Sequence, residues 1–186
     1  MTPSLQKAKG LLLGLALGDA FNAPFEGGPL ERLVWAMIGK TGDGKRRYTD
    51  DTQMSLDLAE CLLSHHGLDL DDLSRRFAAH YRWSRGYGGG AAKLLKRIGR
   101  GEHWEVANRA IYPSGSFGNG GAMRAPVIGL WFCTSDHATL TRAARDSARV
   151  THAHELGMQG AVAIAHAVAA ALHEHASPQT ILNAAL

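Results

Sequence analysis

Residues 48–54 read YTDDTQM and stand directly ahead of an apolar pattern with helical spacing. Met54, Leu58, Cys61 and Leu62 fall at i, i+4, i+7 and i+8, which predicts a helix from about residue 50 to residue 67, with Gly67 as its stop. Asp50 as N-cap and Gln53 three residues later give that helix a capping box. The same stretch has a chemical reading. Asp50 and Asp51, flanked by threonines on a rigid helix start, are the adjacent hard oxygens that a divalent cation needs. The stretch alone leaves both readings open.

Outward from it, helical spacing dominates. Leu5, Ala8, Leu12, Leu15 and Ala16 predict a helix over residues 4–23, and Gly10, Gly14 and Gly18 share one of its faces. Each glycine costs about 1 kcal/mol against alanine in a helix, so that row predicts a backbone packed closely against it. Further helices are expected over 71–84, with Leu73, Phe77 and Tyr81 on one side, and over 91–98, 104–110, 138–150 and 155–175, with helical spacing resuming from residue 122. The final helix carries Gly157, Gly160, Ala161, Ala165 and Ala169 at close-packing spacing. The terminal ILNAAL reads as part of another helix, and strand alternation is found nowhere. The expectation is one compact, all-α multi-helix domain over 1–186, its chemistry carried by irregular loops.

Composition agrees with one core: 186 residues, 45% hydrophobic. The net charge of +3 is scattered, which argues against a nucleic-acid stripe and suits a small phosphate-bearing ligand. Cys61 and Cys133 lie in apolar segments, where reduced thiols are expected, and this points to a cytoplasmic protein. Lys7 and Lys9 ahead of an apolar run imitate a secretory signal, but Asp19 and Glu26 follow closely. That run is far shorter than a bilayer span, so no membrane anchor is expected.

Three other segments carry chemistry. In GDAFNAPFE (18–26), Asp19 sits at a helix end, where the macrodipole disfavours a carboxylate, so it needs a compensating partner or a cation. Glu26 follows a proline turn and is placed to gate a site or take a proton; its plainer reading is a surface glutamate. In GSFGNGGAMR (115–124), Gly115, Gly118, Gly120 and Gly121 let amides turn inward, and the helix that follows presents free N–H groups to an anion. Phe117 offers a flat face to an adenine or ribose, and Arg124 supports the loop or binds phosphates. THAHELG (151–157) supplies His152 and His154 for an anion, or for a metal if the rings converge; His173 and His175 read as surface residues.

The ordered set GDAFNAPFE, YTDDTQM, RGYGGG, GSFGNGGAMR and THAHELG resembles the ADP-ribosylglycohydrolase family, from about Gly10 to at least Ala165. The resemblance implies an all-α enzyme with two Mg²⁺ or Mn²⁺ ions. Its reaction would be hydrolysis of the glycosidic bond between ADP-ribose and a side chain of an ADP-ribosylated protein or a small-molecule acceptor. By the same resemblance, Thr49, Asp50 and Asp51 are metal ligands, Asp19 supports the metal shell, and Glu26, Asp50 and Asp51 are catalytic. Substrate contacts would fall on Gly88, Gly89, Gly90, Gly115, Ser116, Phe117, Gly118, Asn119, Gly120, Gly121, Met123, Arg124 and His152. Phe117 would lie near the adenosine part, and Gly88 to Gly90 with His152 on the diphosphate side.

The family also carries a later Asp-x-Asp-Thr motif, which completes its metal site and does not occur in this sequence. The expectation is therefore an incomplete domain that binds metal weakly and exposes an apolar surface. Two rivals accompany it: an ADP-ribose-binding module without turnover, and an unrelated all-α phosphohydrolase built on His65, His66 and the Asp69 to Asp72 run. Arginine-linked, serine-linked and small-molecule acceptors all remain open.

Overall fold

The computed structural model describes residues 3–186 and consists of ten helices: α1 (Leu5–Asn22), α2 (Pro29–Ile38), α3 (Asp50–His65), α4 (Leu70–Ala79), α5 (Gly89–Ile98), α6 (Trp104–Ile111), α7 (Ala125–Trp131), α8 (His137–Arg149), α9 (Glu155–Ala171) and α10 (Pro178–Ala185). Short 3₁₀ turns at Ala23–Phe25, Trp83–Arg85 and Asn119–Gly121 interrupt the connections. Among the described residues the only strand-like pairing is one isolated bridge, Lys40 with Arg46. The all-α expectation holds.

One core is built from the inner faces of α3 to α9. Leu58 and Leu62 of α3 meet Leu73 and Phe77 of α4, Leu94 of α5, Ala107 of α6, Ile128 of α7, Ala144 of α8 and Ala161 and Ala165 of α9 in a single buried cluster. Truncating a side chain such as Leu58 to alanine costs about 2–5 kcal/mol in such a setting. The small residues of α9 act as expected. A Cβ added at Gly129 of α7 would stand 2.5 Å from the Ala165 carbonyl, so α7 and α9 cross backbone to backbone.

The similar row on α1 behaves differently. No atom lies within 4 Å of a Cβ built at Gly10, Gly14 or Gly18, so no backbone packs there. Leu13, Leu17 and Phe21 on the same helix are exposed, and Asp19 is its one buried residue. On α2, Leu30, Leu33 and Met37 are exposed as well.

Several boundaries shift for local reasons. The N-cap of α3 is Thr49, whose hydroxyl accepts from the Asp51 amide, and Asp50 is the first helical residue. Gln53 is not a capping-box partner: it links Tyr48 to Asp57 through its side-chain amide. α3 stops at His65 because His66 takes the left-handed conformation (φ 51°), and Gly67 then bonds to the Leu62 carbonyl. α4 ends at Ala79 rather than near residue 84, with His80 drawn to Asp57 at 2.6 Å; Tyr81 packs on the core from outside the helix. α9 likewise stops at Ala171, short of His175. α2 was not expected; Glu31 returns to the Gly28 amide at its start and Pro29 occupies its first turn.

Candidate active site

The site begins where α1 meets α3. Asp19, 8% exposed, receives the Thr49 amide at 3.0 and 2.9 Å on its two oxygens, and the Thr52 amide at 3.1 Å. The Thr52 hydroxyl donates to the same carboxylate. The carboxylate that the α1 dipole disfavours is thus compensated by the amides at the start of α3. Both of its oxygens are committed, so Asp19 braces the helix start rather than projecting into the cleft.

That brace aims Asp50 and Asp51 into a cleft of about 310 Å³, shared with Glu26. Burial, the neighbouring Asp51 and the more distant Asp19 and Glu26 push Asp50 up to about 7. Burial, Asp19 and Glu26 push Asp51 up to about 6. Glu26 is raised as well, by burial first and by Asp19 second. These carboxylates repel one another and raise one another's affinity for a proton, and a hard cation would relieve that repulsion. The donor set fits one: Thr49, 5% exposed, stands beside two carboxylates that neither an arginine nor a lysine holds in an ion pair among the described residues.

The opposite wall is made of glycine turns and one imidazole. Gly88, Gly89 and Gly90 form the start of α5, which has no side-chain cap, so its first amides face the cleft with the positive end of the helix. Gly90 lets the Tyr112 ring approach: a Cβ there would stand 1.6 Å from the Tyr112 hydroxyl. Ser116, Gly118, Asn119, Gly120, Met123 and His152 complete the wall. A Cβ at Gly120 would stand 2.2 Å from Cε1 of His152, so glycine is required for the turn to lie against that ring.

Not every expected residue lines this cleft. Phe117 is 72% exposed and meets the edge of His154, away from the acidic wall. Gly115 (φ +82°) packs on the backbone of Ala153 and His154, and Gly121 on Ala148. Arg124 is fully buried behind the turn, donating to the carbonyls of Gly120 and Ser147 and to the Thr151 hydroxyl. The helix start that opens on the cleft is that of α5 and not of α7, because Arg124 and the turn Asn119–Gly121 intervene. His152 and His154 do not converge: His154 caps α9 through the Leu156 amide.

Tyr112 and Thr151 line the cleft and were missed, although both lie within the quoted loops or beside them. So was a second cleft of about 790 Å³, which meets the first at Glu26, Asp50, Gly86, Gly88 and Asn119 and is walled by Leu30, Val34, Trp35, Ile38 and Trp83. The residues of the phosphohydrolase rival have structural employment. Asp69 caps α4, and Asp72 holds Arg76 at 2.5 Å and His65 at 3.2 Å. A separate group, Asp57, Glu60 and His80, brings three ligand atoms within 4.8 Å of one another on α3 and at the end of α4. Glu60 there already pairs with Arg76 at 3.2 Å.

Comparisons with known proteins point to one family. A family model described as ADP-ribosylglycohydrolase matches residues 1–186. An ADP-ribosylhydrolase ARH3 of Xenopus tropicalis is 32% identical over 98% of this chain and 55% of its own length. That of Danio rerio is 36% identical over 88% of this chain and 47% of its own. An ADP-ribosyl-[dinitrogen reductase] glycohydrolase of Rhodospirillum rubrum is 34% identical over 81% and 52%. The chain thus spans about half the length of these relatives. A solved structure titled ADP-ribosylglycohydrolase-related protein complex superposes with a TM-score of 0.64 at 27% identity, covering 96% of this chain and 60% of that one. The fold, the cleft between α3 and the glycine turns, and these matches lead to one conclusion: the chain belongs to the ADP-ribosylglycohydrolase family.

Proposed function

We propose that the cleft takes up an ADP-ribosyl group and serves the hydrolysis of the bond joining it to a protein side chain or a small-molecule acceptor. The observation that carries this reading is the pairing, across about 310 Å³, of an acidic wall (Asp50, Asp51, Glu26) with a wall of glycine amides and His152. The names of the relatives, ADP-ribosylhydrolase and ADP-ribosyl-[dinitrogen reductase] glycohydrolase, support the same substrate class.

Thr49, Asp50 and Asp51 would hold Mg²⁺ or Mn²⁺, with Asp19 keeping the start of α3 rigid. When bound, such a cation supplies concentrated positive charge that orients the ribose hydroxyls and makes a water more acidic. The amides of the α5 start and of the Gly118–Gly121 turn cradle the diphosphate. Phe117, exposed and between Ser116 and Gly118 of the cleft lining, offers its face to the adenine. Water adds to the anomeric carbon as the acceptor leaves with the bonding electrons, and Glu26, whose proton affinity is raised, takes the proton from that water. Free thiols at Cys61 and Cys133 suit a reducing cytoplasm.

The test is release of free ADP-ribose from arginine-linked and serine-linked ADP-ribosyl peptides, with Mg²⁺ or Mn²⁺, a chelator control and an Asp50→Ala control. Release lost in both controls supports hydrolysis, and the peptide that yields product names the linkage. Binding of ADP-ribose with no release from either peptide selects the binding module. No binding and no release would overturn both readings.

A further inference from the structure

His152 lines the cleft, and what it offers a ligand depends on which ring nitrogen carries its hydrogen. Two buried residues behind it decide the matter. Arg124, fully buried, has four acceptors, all uncharged oxygens: the carbonyls of Gly120, Ser147 and Ala148, and Oγ1 of Thr151 at 3.0 Å. Its guanidinium stacks over Phe77 at 4.9 Å, which leaves little room to rearrange. Thr151, 2% exposed and lying between α8 and α9, places the same Oγ1 at 2.8 Å from Nδ1 of His152.

A guanidinium only donates, so the Thr151 hydroxyl accepts from Arg124. The hydroxyl could accept a second time, from Nδ1–H, but its own buried proton would then have no acceptor, since Arg124 and Nδ1 are its only close partners among the described residues; that proton is therefore directed at Nδ1. A nitrogen that accepts this hydrogen bond carries no hydrogen of its own in the neutral ring, so the hydrogen resides on Nε2. Nε2 is also the ring atom closest to Gly118, standing 3.2 Å from where a Cβ there would be, and both residues line the cleft.

We propose that Thr151, clamped by Arg124, is a positioning residue that fixes His152 as the neutral Nε2–H tautomer, so that the ring presents the cleft with a single hydrogen-bond donor for an anionic diphosphate oxygen. In this state the ring has no free lone pair for a metal or for a reacting proton. Burial and the adjacent Arg124 also hold His152 far below the usual histidine range, at about 3, so the ring stays uncharged at neutral pH. The identity of the acceptor rests on the ADP-ribosyl reading; the tautomer does not.

The experiment is a long-range ¹H–¹⁵N correlation spectrum of the histidine rings in the ligand-free, ¹⁵N-labelled chain at pH 7, with His152 assigned by its loss in His152→Gln. The expected pattern is Nε2–H for His152 in the unmodified chain and in Thr151→Ser, which keeps the hydroxyl. Thr151→Val, equal in shape, is expected to show a mixture containing Nδ1–H. An Nδ1–H ring in the unmodified chain overturns the proposal, and that spectrum decides even if the valine variant does not fold. A valine variant that folds and keeps pure Nε2–H overturns the role of Thr151. Calorimetry with ADP-ribose supplies the second readout: binding about tenfold weaker in Thr151→Val, the loss expected for one hydrogen bond, and restored in Thr151→Ser. The Nε2–H pattern without ADP-ribose binding in the unmodified chain would support the relay and refute the ADP-ribosyl reading, so the two failures are told apart.

Discussion

The two walls of the cleft are built on opposite principles. The glycine wall is finished: Arg124 holds the Gly120 carbonyl and Thr151, Thr151 holds His152, and Gly120 and Gly90 admit the rings packed against them. The acidic wall is rigid in its backbone, through Asp19, and unbalanced in its charge, with Asp50 and Asp51 both raised by burial and by neighbouring carboxylates. The contrast teaches which wall awaits a ligand of its own. A wall with a braced framework and uncapped α5 amides can receive an anion as it stands, whereas crowded carboxylates are stabilised only by a proton or a cation.

The strongest way to break the comparison is to remove the centre of the finished wall. Arg124→Met strips the Gly120 and Ser147 carbonyls and the buried Thr151 hydroxyl of the donor it supplies and should cost about 3–5 kcal/mol in urea unfolding. A loss below about 1 kcal/mol would mean that this wall is not held as described.

The walls should next differ in the sign of their pH dependence. Asp50 and Asp51 are raised in the folded chain, so between pH 4 and 7 the folded state binds more protons than the unfolded one, and their contribution falls as pH rises. In metal-free protein, Asp50→Asn should therefore gain on the unmodified chain by roughly 2–3 kcal/mol across that window. His152 is lowered, so the unfolded state binds the extra proton and its contribution grows from about pH 3 up to the ordinary histidine range. His152→Gln should accordingly lose ground to the unmodified chain as pH rises. Denaturation series at several pH values read both differences, and equal signs would refute the contrast.

Smaller effects sharpen it. Gly120→Ala would press a Cβ to within 2.2 Å of the His152 ring and should cost about 1–3 kcal/mol in stability, with weaker ADP-ribose binding in calorimetry. Gly14→Ala, on the open face of α1, should instead stabilise the chain by about 0.5–1 kcal/mol, visible as a modest rise in Tm.

That last pair also marks what could be read in the sequence. α3 was legible because Met54, Leu58, Cys61 and Leu62 repeat with the helical period and are all buried. Its cap was ambiguous, since Thr49 and Asp50 are both good caps and only the chain's path separates them. α2 escaped notice: seven of the ten residues in PLERLVWAMI are hydrophobic, yet only Trp35 is buried. The small-residue rows of α1 and α9 look alike in sequence, yet only that of α9 is met by another helix's backbone, at Ala165 against Gly129, because long-range packing is not written in local spacing. For the site, the acidic pair, Glu26, His152 and the glycine turns were legible as motifs. The burial of Arg124 was not, since arginine is ordinarily a surface residue, and the role of Thr151 depends on a contact reaching back 27 positions.

The central claim, that the acidic wall is a cation site, is tested most directly by thermal unfolding at pH 7 with and without Mg²⁺ or Mn²⁺ in the unmodified chain, Asp50→Asn and Asp57→Asn. The account predicts a cation-dependent rise in Tm for the unmodified chain and for Asp57→Asn, and none for Asp50→Asn. A rise that survives Asp50→Asn and vanishes with Asp57→Asn would move the cation to the Asp57, Glu60 and His80 group and contradict the account.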